Sequence, residues 1–223
     1  MNVQRILVPG ALLMALAAPA AQAQSAGTWL VKAGVNRIAP SVTSGPLSAP
    51  SLPDTRIDVK AATSLIVTAT YFYTSNISVE AFAGLPYKHD IVGDGSIAGA
   101  GKLGTTKQVS PTVFGQWRFG DGKATVRPYV GAGLTYAKFY GEEGSNLLTS
   151  TTNPGGAPTR MSIDPAWGLS MQLGLSWKLD DRWSIDAVVI KTKLKTTTTL
   201  STGQTIDTRL DPMSTGVSLA YRF

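Results

Sequence analysis

Between Trp167 and Leu179 every second residue is large and apolar: Trp167, Leu169, Met171, Leu173, Leu175, Trp177 and Leu179. Gly168, Ser170, Gln172, Gly174, Ser176 and Lys178 stand between them. A period of two puts the apolar set on one face of a β-strand and the polar set on the other. The run spans 13 residues. Strands of soluble proteins average about 5–6 residues, whereas a strand tilted through a bilayer needs about 9–11. Tryptophan stands at one end of the apolar face and near the other, where a membrane strand meets the two headgroup layers. The expectation is a transmembrane β-barrel.

The start of the chain reads as an export signal: Arg5, a mostly apolar stretch from Ile6 to Ala18, and the small-x-small site Ala21-Gln22-Ala23. The apolar stretch is too short for a membrane anchor. Residues 1–23 are therefore assigned to a signal peptide and 24–223 to one barrel domain. No later run is apolar for ~18 residues, so no transmembrane helix is expected. The chain has no cysteine, which excludes a lipoprotein anchor and disulfides. Its net charge is +6. An exported chain meets little nucleic acid, so the anionic partner expected is lipopolysaccharide, beside the outer-membrane lipid itself.

Seven further segments alternate at lower contrast: Thr28–Ile38, Thr63–Thr74, Ile77–Tyr87, Thr105–Phe119, Val126–Tyr140, a segment from Trp183, and the tail from Met213 to Phe223. Three connections are short, around Ser75-Asn76, at Gly120 to Thr125 and at Asp180 to Arg182. Four are long: Ala39–Ala62, Lys88–Gly104, Gly141–Ile163 and about Lys195–Asp207. Short periplasmic turns and long extracellular loops are the asymmetry of outer-membrane barrels. The fold class expected is all-β, an eight-stranded antiparallel transmembrane barrel in the outer membrane of a Gram-negative bacterium. Closure satisfies every backbone group inside the lipid. Trp29, Tyr73, Trp117, Phe119, Trp177, Trp183 and Phe223 are expected in a periplasmic aromatic girdle, and Tyr87, Tyr136 and Trp167 in an upper one. Lys191, Lys193 and Lys195 continue the outward row of the seventh strand. Either a bulge near Ile190 flips them, or they stand above the lipid.

The stretch from Ile77 to Tyr140 resembles the OmpW/AlkL family of small outer-membrane proteins. It carries Phe82-Ala83-Gly84-Leu85-Pro86, Lys102-Leu103-Gly104-Thr105-Thr106-Lys107, Ser110-Pro111-Thr112 and Gln116-Trp117-Arg118-Phe119-Gly120. The most specific run is Arg127-Pro128-Tyr129-Val130-Gly131-Ala132-Gly133-Leu134; Arg209-Leu210-Asp211-Pro212 and Tyr221-Arg222-Phe223 also fit. The resemblance implies a narrow apolar lumen and passage of small hydrophobic molecules, with added roles as phage or colicin receptors. The terminal Phe223 resembles the signal read by the barrel-assembly machinery.

The inward face divides by height. Lys32, Glu80, Arg118, Arg127, Lys178, Asp186 and Arg222 all lie near the periplasmic ends of their strands and are expected to form a charged floor. Higher inward positions are uncharged; Ile66, Phe82, Phe114 and Tyr129 are the candidate ligand-lining residues. A hydrophobic molecule then enters from outside, cannot cross paired charges, and leaves laterally through the wall. Proline lacks the N–H a closed ladder needs, so Pro86 and Pro111, at similar height on neighbouring strands, mark a candidate lateral seam. The alternatives are charges that only fill the barrel, an ion channel, a pair of bulges without an opening, or a structural or receptor barrel whose loops bind external partners without transport.

His89, the only histidine, falls in the second long loop without a partner motif. It is read as solvated, against a catalytic role, so the chain is not expected to be an enzyme. A lone histidine without cysteine lacks the ligand count for a metal, and no cofactor is expected. Inward glycines, Gly131 and Gly133 among them, are read as leaving lumen space. Pro40, Pro46, Pro50 and Pro53 argue against regular structure in the first loop.

Overall fold

The computed structural model describes residues 26–223. The export signal expected at 1–23 lies outside the described residues. The elements in chain order are β1 (Trp29–Ala39), β2 (Thr43–Ser44), β3 (Thr55–Val59), β4 (Ala62–Phe72), β5 (Ile77–Gly84), β6 (Tyr87–Gly95), β7 (Lys102–Val109), β8 (Thr112–Arg118) and β9 (Val126–Gly144). There follow α1 (Asn146–Thr152), β10 (Met161–Ile163), β11 (Ala166–Lys178), β12 (Trp183–Lys193), β13 (Lys195–Leu200), β14 (Thr205–Arg209) and β15 (Met213–Arg222).

Eight of these strands close on themselves, in the order β1-β4-β5-β8-β9-β11-β12-β15 and back to β1, every neighbour antiparallel. The register fixes the shape. From Trp29 the pairing runs through Tyr71, Val79, Gly115, Ala132, Met171, Lys191 and Met213 to Ala39, ten residues further along β1. With ~3.4 Å per residue and ~4.8 Å between strands, that stagger tilts the strands by roughly 40°. A bore this narrow has room for side chains only.

The barrel is inverted relative to a soluble protein. Leu169, Met171 and Leu173 of β11 are among the most exposed residues, while Ser170, Gln172 and Ser176 on the same strand are buried. Lipid is the only solvent in which that pattern is stable. Trp29, Tyr73, Trp117, Phe119, Trp177, Trp183 and Phe223 are all exposed at the short-turn end.

Beyond the opposite end of the barrel the chain builds a head. The upper part of β9 carries a sheet of β7, β6 and β3, and a second sheet runs β10-β13-β14-β2. The helix α1, whose first turn is capped by Ser145 Oγ accepting from Leu148 N at 3.2 Å, closes one side. Leu47, Ile91, Leu103, Phe139, Leu148, Met161, Leu200 and Ile206 belong to the apolar core of this head.

Three expectations are corrected here, and one of two open alternatives is removed. The third and fourth sequence segments are each broken, at Leu85-Pro86 and at Ser110-Pro111, so that β6 and β7 are a separate hairpin. The break turns Tyr87 inward; it is 2% exposed and belongs to no girdle. Despite its prolines, the first long connection contains β2 and β3, which pair with β14 and β6. Finally, β12 pairs without a register shift, so there is no bulge at Ile190 and Lys191 and Lys193 point outward. Lys191 pairs with Met171, four residues from Trp167, and long lysine stems reach a headgroup layer from such a depth.

Candidate functional site

The barrel interior is layered, and each layer follows from which inward residues the tilted register brings to one height. In the half of the bore nearer the short turns lies a buried ionic cluster. Lys32 Nζ meets Glu80 Oε2 at 2.6 Å and Asp186 Oδ1 at 3.1 Å. Thr70 donates to Glu80 Oε2 at 2.8 Å, Tyr129 to Asp186 Oδ1 at 2.8 Å and Ser176 to Asp186 Oδ2 at 2.6 Å. Arg118 donates to Ser176 Oγ at 3.0 Å and Gln116 Oε1 at 3.1 Å, and its guanidinium lies 4.3 Å from the Tyr129 ring centroid. Lys32 pairs with both anions, and Glu80, Asp186 and Arg118 are further held by neutral groups, which offsets the cost of burying charge.

The structure thus brings together four of the seven charges read as one floor. The other three sit closer to the short turns. Arg127 donates to the carbonyl oxygen of Ser75 at 2.7 Å. Lys178 pairs with Asp181 at 2.8 Å, and Arg222 donates to the Asp181 carbonyl oxygen. Leu30, Phe72 and Ala220 form a small apolar plug at this end.

On the other side of the ionic cluster the interior carries no charge and is mixed: an apolar cluster lies beside buried Asn36, Thr68 and Gln172 and a hydroxyl chain running Thr112–Thr135–Ser170–Thr192. Ile66, Phe82, Phe114 and Tyr129 belong to one buried cluster with Ile38, Ala62, Tyr87, Val188 and Ile190. These side chains touch one another. The glycines do not leave free space: a Cβ at Gly133 would fall 2.6 Å from Phe114 Cδ1, and one at Gly131 would fall 2.8 Å from Gln172 Cγ. Neighbouring side chains already occupy that room. Tyr129 belongs to both layers, its ring in the apolar cluster and its hydroxyl on Asp186.

Above this cluster is a neck. Tyr87, whose hydroxyl accepts from Asn36 Nδ2 at 2.9 Å, stacks 6.4 Å from His89. His89 is 1% exposed, which overturns its reading as a solvated loop residue. It lies on β6 because the chain re-enters regular alternation after Pro86. Burial is the main force holding its pKa below the usual 6.5, against the opposing pull of Lys60 O, the Asp90 charge and Gln108. His89, Ile57, Ile91, Thr198 and Thr208 line a cavity of about 20 Å³. Ile57, Ile91 and Thr198 also line a second, apolar cavity of about 40 Å³ within the head, with Leu103 and Leu200. Head, neck and upper barrel are thus uncharged inside, two apolar clusters joined through a neck that also carries buried hydroxyl, amide and imidazole groups.

The wall beside that column has an interruption. The β5–β8 ladder runs from Ile77–Trp117 to Phe82–Thr112 and stops. It resumes between β6 and β7 at Tyr87–Gln108, shifted by one residue. Ala83 to Pro86 thus face Val109, Ser110 and Pro111 without ladder pairing. Their outer neighbours stay bonded: Leu85 N donates to Leu65 O at 2.9 Å, and Tyr136 N to Pro111 O at 3.0 Å. Charges and prolines pointed to these places in the sequence. The neutral members of the ionic cluster, Thr70, Ser176 and Gln116, carried no signal beyond their inward parity.

With this geometry in view, comparison with known proteins is decisive. The model of the OmpW family matches residues 25–223. The chain belongs to the OmpW family. It is 31% identical to outer membrane protein W of Vibrio cholerae over 96% of both chains. It is 26% identical to outer membrane protein AlkL of Ectopseudomonas oleovorans, over 78% of this chain and 71% of that one. Its fold superimposes on the crystal structure of OprG from Pseudomonas aeruginosa with a TM-score of 0.80, at 23% identity over 91% of this chain and 99% of that one. This OmpW-family barrel is an outer-membrane protein; its short turns are periplasmic and its head is extracellular.

Proposed function

We propose that the barrel gives small hydrophobic molecules passive passage across the outer leaflet. They enter through the extracellular head, descend past the neck into the cluster around Ile66, Phe82 and Phe114, and leave laterally between Pro86 and Pro111 into the membrane. The observation that carries this reading is an uncharged interior with two apolar clusters ending on paired, buried charges, beside a stretch of wall without ladder bonds. Axial escape would require an apolar molecule to separate Lys32 from Glu80 and Asp186 with nothing to replace them. That costs several kcal/mol. Lateral escape leaves that ionic pairing intact, and the bilayer receives the product. The packed lumen makes the passage a displacement path rather than an open pore. Uptake of labelled octane and naphthalene by cells with and without the protein tests it. Faster uptake with the protein supports passage; equal rates remove it.

A further inference from the structure

At the neck, two polar atoms have no hydrogen-bond partner although their side chains are almost wholly buried: His89 Nε2 and Thr208 Oγ1. They come from different sheets, β6 and β14, and line the same small cavity. The proton position on the ring is fixed by chemistry. His89 Nδ1 lies 2.7 Å from Lys60 O, and a carbonyl oxygen only accepts, so Nδ1 carries the proton. In the neutral ring Nε2 is then a bare acceptor. The Thr208 hydroxyl is able to donate and to accept. Two neighbouring groups are engaged outside the cavity, Thr196 Oγ1 donating to Asp164 O at 2.6 Å and Gln108 Nε2 to Ser110 Oγ at 2.6 Å, while the Gln108 side chain also acts on the His89 ring. The rest of the lining is dominated by Ile57, Val59, Ile91 and Phe139.

We infer that His89 Nε2 and Thr208 Oγ1 form a polar subsite for the hydroxyl group of an otherwise hydrophobic molecule. The O–H of the ligand donates to Nε2, and its oxygen accepts from Thr208. The tail runs along Ile57 and Ile91, which line both the neck cavity and the head cavity. The neck volume of about 20 Å³ suits a head of one or two heavy atoms. A carboxylate ion is refused, because no cation lines the cavity and burying unpaired charge is prohibitive. An alkane is admitted but leaves both polar atoms unpaired. The subsite thus grades the molecules that the passage admits, and its biological use rests on the passage reading.

Because the sequence holds one histidine, its ring nitrogens give a single, unambiguous magnetic resonance signature in protein purified without a histidine tag. Protein in lipid nanodiscs is titrated with octanol and with octane. Octanol is expected to shift the Nε2 resonance in the direction of an accepted hydrogen bond, and octane is not. Thr208→Val keeps the shape of the side chain and is expected to weaken octanol binding about fivefold, the worth of one neutral hydrogen bond. No Nε2 shift with octanol, an equal shift with octane, or unaltered octanol affinity in Thr208→Val overturns the subsite. Failure of wild-type cells to take up octane overturns the passage instead, and leaves the resonance titration to judge the subsite on its own.

Discussion

The ring of Tyr129 occupies the space where a side chain at position 174 would be. A Cβ on Gly174 would lie 2.1 Å from Tyr129 Cζ. These two residues are cross-strand partners on β9 and β11, and glycine lets the ring lie flat across the bore toward Asp186. Gly174→Ala is expected to push the ring aside, break the Tyr129–Asp186 bond and cost about 1–3 kcal/mol, as overpacking does. The unfolding midpoint in detergent measures it; Gly174→Ala with Tyr129→Leu should recover part of the loss.

Lys32 is the only cation in ion-pair contact with Glu80 and Asp186 among the described residues. Lys32→Met leaves two buried carboxylates without that partner, and a loss of about 3–5 kcal/mol is expected. Replacing all three, Lys32→Met with Glu80→Gln and Asp186→Asn, should cost much less. Urea unfolding of the two variants in one lipid system compares them. A triple variant as weak as Lys32→Met would show that the charges stabilise the barrel outright.

Phe114 fills the bore immediately beside Gly133. Phe114→Ala removes an obstruction from the apolar cluster, so faster octane uptake is expected with some loss of stability, about 3–5 kcal/mol for a fully buried ring. Phe114→Trp is expected to slow uptake. Rates that ignore both changes would move the path away from this cluster.

Restoring the donors missing at Pro86 and Pro111 should let the interrupted ladder knit. The double variant Pro86→Ala with Pro111→Ala is expected to fold and to take up octane more slowly than wild type. Unchanged uptake in the folded double variant removes the seam from the route.

The histidine predicts a pH effect with a definite sign. Its folded pKa lies below the ordinary 6.5, chiefly through burial. Below about pH 6.5 the unfolded ring takes up a proton that the folded one refuses, so the stability of the head falls as pH drops through that window. It stops falling once the folded ring is also protonated. Amide exchange on β6 should therefore quicken at acid pH, and His89→Leu should abolish that dependence.

Much of the barrel was legible because alternation is a local code that lipid enforces on every strand. The Trp167–Leu179 row and the short turns are examples. What was not legible depended on events between strands. Tyr87 has the parity of an outward residue until the Leu85-Pro86 break resets it, and no pattern announces which way a chain turns after such a break. His89 reads as a loop residue because Lys88–Gly104 has few apolar residues; it is buried because β3, from a distant connection, pairs with β6. Of the charges near the turns, alternation gave the inward direction. Only the ten-residue stagger decides which of them share a height, and stagger is not written in any single strand.

That stretch without ladder bonds lies between β5 and β8, across the tube from the continuous β12–β15 pairing. A cylinder so built has one compliant side. On the proposed route, lateral pressure from the surrounding lipid would be met there with the fewest backbone bonds, along the line between Ala83 and Pro111. If the proposed exit lies here, fluid acyl chains would favour a parted wall and stiff, tightly packed ones a sealed wall, and the physical state of the membrane would set the rate of passage.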